Sequence, residues 1–286
     1  MTGSEGFIGR SIVDALLARQ ETVIALDRAH AECPAATETL IRVSGDIRDT
    51  SFVVETVRQH KVRAILNLAA LIIPACKADP VLGAEVDIIG HINMFEAARA
   101  GNIKRVVYTS SVASKPRAPF NSPVNLYGVY KRTCEDIAKV YFLDYAIPSV
   151  GVRPNIVYGP GREVGETAFV SKAVAAAVAG EPFEMPFTGD VCLQHVDEIV
   201  DVLLRCLYAS PDAPVVSDIT TDISKIDDVA SVIEDLIPGA KIALSDKVRP
   251  APADLDNEPL RELLGVWPSI SLREGIERTK RSLSQR

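Results

Sequence analysis

Apolar positions in the first half of the chain follow two alternating rhythms. Ile8, Ile12, Val13, Leu16 and Leu17 recur at helical spacing, because 3.6 residues per turn brings such positions onto one face. Residues 21–26 (ETVIAL) then read as a short strand ending at Asp27. Ile41, Arg42 and Val43 predict another strand, 51–60 a helix, 64–68 a buried strand and 86–100 a long helix. A strand over 105–109, a helix over 127–145 and a strand entered at 148–152 complete the series. Strands with little polar alternation, separated by helix-length segments, predict an α/β fold with a mostly parallel, doubly wound sheet covered on both faces.

Beyond Gly159 the rhythm loosens. Residues 169–179 form an alanine-rich helix, and 180–190 read as irregular. Residues 226–236 predict a helix cut off by Pro238-Gly239, 249–256 a proline-rich surface loop, and 260–264 and 272–279 short terminal helices. The expected division is a nucleotide-binding domain over 1–158, to which later segments return, and a smaller substrate lobe over 159–286.

Composition narrows the class. A chain of 286 residues with 47% hydrophobic content can bury one sizeable core and carry a lobe. The net charge of -7, with no basic stripe, argues against a nucleic-acid surface. No run of apolar residues is long enough to span a membrane. Cys33, Cys76, Cys134, Cys192 and Cys206 are scattered without ligand spacing. They read as reduced thiols of a cytoplasmic protein, with no metal site.

The candidate chemistry starts at the first residues. Gly3, Gly6 and Gly9 form a G-x-x-G-x-x-G loop at the start of the first helix, the arrangement that holds a pyrophosphate on a helix N-terminus. Asp27, some twenty residues on, is placed to accept the ribose hydroxyls of NAD and to repel a 2′-phosphate, although the adjacent Arg28 could hold one. Asp46, followed by Ile47, could bond the adenine amine. Leu68, Ala69 and Ala70 would let the dinucleotide pass close over a strand end. The loop stands without the strand that normally precedes it, about half a dozen residues. The expectation is an absent first strand, with Met1 an interior valine position read as initiator through a GTG codon; a truncated chain is the alternative.

Tyr127 and Lys131 lie four apart on one helical face, so an ammonium neighbours a phenol and favours its phenolate. Ser111, at the end of the preceding strand, can donate to the same substrate oxygen. The three could remove a hydroxyl proton while a nicotinamide accepts hydride. Tyr130, the rival tyrosine, is expected to point away.

With TGSEGFIG, LNLAA, YTSS, YGVYK, Arg153-Pro154 followed by VYGPG, and LLGVWP, the chain resembles the extended short-chain dehydrogenase/reductase family in its NAD-dependent epimerase/dehydratase branch. The resemblance implies a Rossmann-type fold, a Ser111, Tyr127, Lys131 site with Lys131 also holding the nicotinamide ribose, and pyrophosphate contacts from the Phe7-Ile8 backbone. It also implies cofactor contact at Pro154 and a homodimer built through long helices, including the one bearing Tyr127.

Two departures touch the nucleotide-gripping positions. Ile156 replaces an asparagine, with Asn155 one place early, and Val191 replaces a phosphate-binding arginine. Asp87 also replaces the asparagine usual in the helix beneath the site. The expected substrate is therefore a small hydroxylated carbohydrate or sugar acid without a nucleotide handle, acted on by an NAD-dependent oxidoreductase or epimerase. Ser111, Asn155, Arg162 and Arg249 are the candidate substrate residues. A nucleotide-sugar 4-epimerase using Arg249 and Arg162 as phosphate ligands, and a non-catalytic NAD-binding regulator, stand as alternatives.

Overall fold

The computed structural model describes residues 1–30, 37–220, 222–250 and 253–284. Cys33 and positions 251–252 of the expected proline-rich loop lie outside the described residues. Two compact units divide the chain: Met1–Arg153 with Val202–Ser217 and Glu258–Gly265, and Pro154–Asp201 with Asp218–Asn257 and Val266–Arg286.

In the first unit, α1 (Phe7–Ala18), β1 (Val23–Asp27), β2 (Leu40–Ser44), α2 (Thr50–Gln59) and β3 (Ile65–Asn67) alternate in the expected order. Short helices α3 (Ile73–Ala78) and α4 (Pro80–Ala84) lead through a π-turn at Glu85–Ile89 into α5 (Gly90–Ala100). Then come β4 (Val106–Thr109), α6 (Leu126–Tyr145) and β5 (Ser149–Arg153). Strands β1 and β2 pair in parallel, as do β3 with β4 and β4 with β5. The long helix expected over 86–100 is thus interrupted: its first residues widen into the π-turn, where Asp87 is buried.

The expectation of an absent first strand is not borne out. Thr2 bridges in parallel to both Leu26 and Asn67, so the first two residues take the central place between β1 and β3. Leu26 N–H donates to the Met1 carbonyl at 2.8 Å, Thr2 N–H to Leu66 O at 3.0 Å and Leu68 N–H to Thr2 O at 3.3 Å. The Met1 amino group donates to Ile24 O at 2.7 Å. Pairing on both edges satisfies the backbone just where the glycine loop leaves the sheet. The Thr2 hydroxyl also donates to Asn67 Oδ1, and Asn67 in turn meets His91 of α5.

Helix starts follow local chemistry. Asp49 caps α2 by accepting Phe52 N–H, and Asn125 caps α6 by accepting Gly128 N–H at 2.8 Å. Met94, Phe95, Ala97 and Ala98 of α5 pack with Leu26, Ile65, Val106 and Tyr108 of the strands to form this unit's core.

After β5 the chain forms β6 (Ile156–Tyr158), α7 (Phe169–Ala179), β7 (Phe183–Met185), β8 (Asp190–Val191), β9 (Leu193–His195), α8 (Val196–Tyr208) and β10 (Val215–Asp218). There follow β11 (Ser224–Lys225), α9 (Ile226–Leu236), β12 (Ile242–Leu244), α10 (Glu258–Leu264) and α11 (Leu272–Leu283). Strand β10 lies beside β5 in the first unit's sheet. The second unit's core gathers Ile156, Phe169, Val174, Met185, Val191 and Ile233. The stretch 180–190, expected to be irregular, contains β7, which pairs in parallel with β12. Three residues carry too little alternation to signal a strand, and a partner some sixty positions away supplies the pairing.

Candidate functional site

At the carboxyl end of the parallel sheet, Gly3, Glu5, Gly6, Asp27, Asp46 and the 68–71 segment line a cavity of about 330 Å³. The loop is shaped for close approach. Gly3 has φ +67°, and a Cβ there would stand 2.9 Å from the Ala69 nitrogen. A Cβ on Gly9 would lie 2.0 Å from the Gly3 carbonyl oxygen, so helix and loop pack backbone to backbone. Phe7 and Ile8 open α1 directly behind this turn, at the helix end whose first N–H groups have no intrahelical partner.

Asp27, at the tip of β1, is fixed by two backbone donors: Glu5 N–H reaches Oδ2 at 2.9 Å and Arg28 N–H reaches Oδ1 at 2.8 Å. Asp46 accepts from Arg48 N–H, Nε and Nη2 at 2.9, 2.9 and 2.7 Å, and these bonds hold its carboxyl below the usual carboxylate range. Ile47, Leu68, Ala69 and Ala70 border the same space. The tight glycine backbone, a strand-end carboxylate and a second carboxylate lining the same cavity fit a dinucleotide whose ribose carries free hydroxyls.

The second cluster is assembled by α6. Its Lys131 is buried, and the Nζ donates to the Thr109 carbonyl at the end of β4, 2.9 Å away. That ammonium lies 5.7 Å from the centre of the Tyr127 ring. Burial works to lower the Lys131 pKa, but the surrounding Tyr127, Asp87, Cys134 and Cys76 outweigh it and raise it, so the side chain stays a cation. Ser111 follows β4 and caps the turn Val112–Ser114, its Oγ accepting Ala113 N–H at 3.1 Å. Gly128, next to Tyr127, lies against that turn. Tyr130 points elsewhere and donates to the Pro80 carbonyl at 2.9 Å. Asp87 accepts Leu71 N–H at 2.7 Å, and burial raises its pKa against the pull of Lys131.

One positioning network is invisible in the motifs. Glu135, fully buried one turn beyond Lys131, accepts from Ser110 Oγ at 2.5 Å and Ser114 Oγ at 2.8 Å. It also takes a two-pronged contact from Arg153 Nε and Nη2 at 2.7 and 2.6 Å. The residues flanking Ser111 are thereby tied to the helix that carries Tyr127. The available signal was spacing: Glu135 repeats the Tyr127–Lys131 interval on the same helical face.

The remaining expected residues belong to the second unit. Pro154 opens it. Asn155 lies between β5 and β6, its N–H donating to Gln194 Oε1 at 2.9 Å. Arg162 donates to Thr167 at 3.1 Å, and the Arg249 guanidinium lies 5.0 Å from the Phe187 ring centre. His195 is buried with its ring edge-on to Tyr158, and burial lowers its pKa.

Comparison with known proteins completes the picture. Residues 1–217 match the model of the NAD dependent epimerase/dehydratase family. A UDP-glucose 4-epimerase of Mycolicibacterium smegmatis is 28% identical, covering 98% of this chain and 96% of that one. The UDP-glucose 4-epimerase of Thermotoga maritima, solved with UDP-glucose, superposes with a TM-score of 0.85 at 20% identity, over 99% and 97% of the two chains. An L-threonine dehydrogenase of Clostridium difficile gives the same TM-score at 20% identity, over 99% and 96%. At such identity the likeness shows the fold and leaves the substrate open.

The near full-length match to an enzyme of UDP-glucose overturns the expectation of a substrate without a nucleotide handle. The reason for the error lies in Ile156 and Val191. Both are core residues of the second unit, packed with Phe169 and Met185, so their apolar character answers to packing. It says nothing about how a diphosphate is held. What the family match does establish covers three quarters of the sequence, glycine loop and Tyr-Lys helix included: this NAD-binding oxidoreductase chain belongs to the NAD-dependent epimerase/dehydratase family.

Proposed function

We propose that the protein is an NAD-dependent 4-epimerase of a UDP-linked sugar. The observation that carries this reading is the similarity, end to end, to a UDP-glucose 4-epimerase. The geometry of the first unit supports it. Gly3, Gly6, Gly9 and the Phe7-Ile8 amides would hold the pyrophosphate, Asp27 the ribose, Asp46 the adenine, and Lys131 the nicotinamide ribose. Bound there, NAD supplies reversible hydride acceptance at the sugar carbon.

The protein's own part is proton handling and grip. Tyr127 Oη takes the sugar hydroxyl proton and later returns it, while Ser111 Oγ donates to the same oxygen. The Lys131 ammonium, anchored on Thr109 O, stabilises the Tyr127 phenolate that accepts this proton. The second unit forms the substrate lobe, with Arg249 and Arg162 as the cationic candidates for the diphosphate in place of an arginine at Val191. A grip through the diphosphate suits epimerisation, since the sugar ring must present both faces while the handle stays bound. Exposed Val129, Val140 and Leu143 along α6 support a homodimer through this helix. Among the described residues no helix is long and apolar enough to cross a membrane, and the buried free thiols Cys76, Cys134, Cys192 and Cys206 support a cytoplasmic setting.

The test is incubation of the protein and NAD with UDP-glucose and, separately, UDP-galactose, followed by chromatography of the sugar nucleotides. Interconversion without net NADH is expected. Inert UDP-sugars alongside NADH release from an unlinked sugar or hydroxy acid would overturn the reading.

A further inference from the structure

We propose that Glu5 is a second determinant of cofactor choice, acting by holding Arg10 and His30 out of reach of a 2′-phosphate. The inference rests on the assignment of the 330 Å³ cavity to the adenosine half of NAD.

Glu5 is the residue just before Gly6, and it borders that cavity together with Asp27. Its N–H donates to Asp27 Oδ2, so the two carboxylates are joined through a single backbone bond. Its own carboxylate is fully engaged. Oε1 lies 2.9 Å from His30 Nδ1, and Oε2 lies 3.4 Å from Arg10 Nε. The other ring nitrogen of His30 is 3.1 Å from the Val43 carbonyl.

Among the described residues, the other charged groups lining the cavity are Arg28, exposed at the end of β1, and Asp46, which is paired with Arg48; Arg48 is also tied to Glu85 at 2.6 Å. Of the three basic groups Arg10, Arg28 and His30, Glu5 thus engages two, Arg10 and His30.

The consequence is a two-part lock. A 2′-phosphate brings about two negative charges to the ribose edge. Asp27 repels it directly. Neutralising Asp27 alone leaves a second carboxylate lining the same cavity, with Arg10 and His30 still engaged by it. Neutralising Glu5 as well removes that charge and releases two donors suited to phosphate oxygens. The effects of the two substitutions on phosphate binding are therefore more than additive, as expected for groups that share partners.

Equilibrium dissociation constants for NAD and NADP, measured by calorimetry on the whole protein, test this without reference to turnover. The proteins compared are wild type, D27N, E5Q, E5Q/D27N and E5Q/D27N/H30N, each checked by thermal melting. Asp27→Asn alone should improve NADP binding only a few-fold. The double variant should bind NADP at least about tenfold more tightly than D27N, and adding His30→Asn should remove most of that gain. If the double variant does not fold, E5Q alone decides, and its NAD-over-NADP preference should fall at least about threefold below wild type.

A double variant no better for NADP than D27N, or an unchanged preference in E5Q, would overturn the role of Glu5 while leaving NAD binding intact. Wild-type protein that binds no NAD would instead overturn the cavity assignment, and this inference with it.

Discussion

Gly128 lies so close to the carbonyl of Ala113 that a Cβ added to it would stand 2.2 Å from that oxygen. The contact presses the first turn of α6, just after Tyr127, onto the turn capped by Ser111. Gly128→Ala therefore forces the helix and the serine turn apart. A stability loss of about 1–3 kcal/mol is expected from the overpacking. Turnover should fall further than stability alone would explain, with NAD affinity retained. Melting curves and single-turnover rates on the same preparation check both.

Tyr127 is assigned the proton transfer and Tyr130 is occupied by the Pro80 carbonyl. Tyr127→Phe should lower the epimerisation rate by about 10²–10⁴-fold, the usual weight of a positioned acid-base group. NAD and UDP affinities should change little. Turnover near the wild-type rate would rule out the assigned role.

Glu135 gives the fold a specific acid sensitivity. Burial works against its carboxylate, but Arg153 and the two serine hydroxyls outweigh that and hold its pKa below the ordinary glutamate value. The unfolded chain then binds the proton more readily than the folded one. The stabilisation is fully present above the ordinary glutamate range and is lost as pH falls through the depressed folded value. Glu135→Gln should cost about 3–5 kcal/mol at neutral pH by removing the buried carboxylate to which Arg153 donates twice. The melting temperature of the variant should also fall less steeply than that of wild type between about pH 6 and pH 3. Parallel slopes would contradict the account.

Arg249 and Arg162 are the cations offered for the diphosphate. Replacing either with alanine should raise KM for a UDP-sugar about tenfold or more, as loss of a charge-assisted bond does, with a smaller change in kcat. Direct titration with UDP should show the same loss. UDP affinity unchanged in both variants would mean that other groups hold the handle.

The readings most legible in the sequence are those whose signal is local. The Gly3–Gly6–Gly9 loop, Asp27 and the Tyr127–Lys131 interval each depend on spacing within one turn or one βαβ unit, and spacing is what a sequence displays. The contacts of Lys131 with Thr109, and of Glu135 with Ser110, Ser114 and Arg153, depend on which strand end a helix crosses. Pairing across such distances leaves no periodic trace. The substrate was misread for a related reason. Ile156 and Val191 were weighed as positions in a motif, whereas the fold uses them as core. The absent strand was misread because Met1 and Thr2, paired on both edges, occupy its central place.

That last feature also sets where the sheet opens most easily. Strands β1 and β2 on one side, and β3, β4, β5 and β10 on the other, meet through the pairings of Met1 and Thr2. Thr2 meets Leu26 and Asn67 through isolated bridges rather than extended ladders, so the amides of this seam report local opening rather than global unfolding. In hydrogen–deuterium exchange, Thr2, Leu26 and Leu68 should therefore trade their protons well before Val107 or Val150 deep in the longer ladder. Because the glycine loop rises directly from this seam, NAD should slow exchange there first, making the seam a built-in gauge of cofactor occupancy.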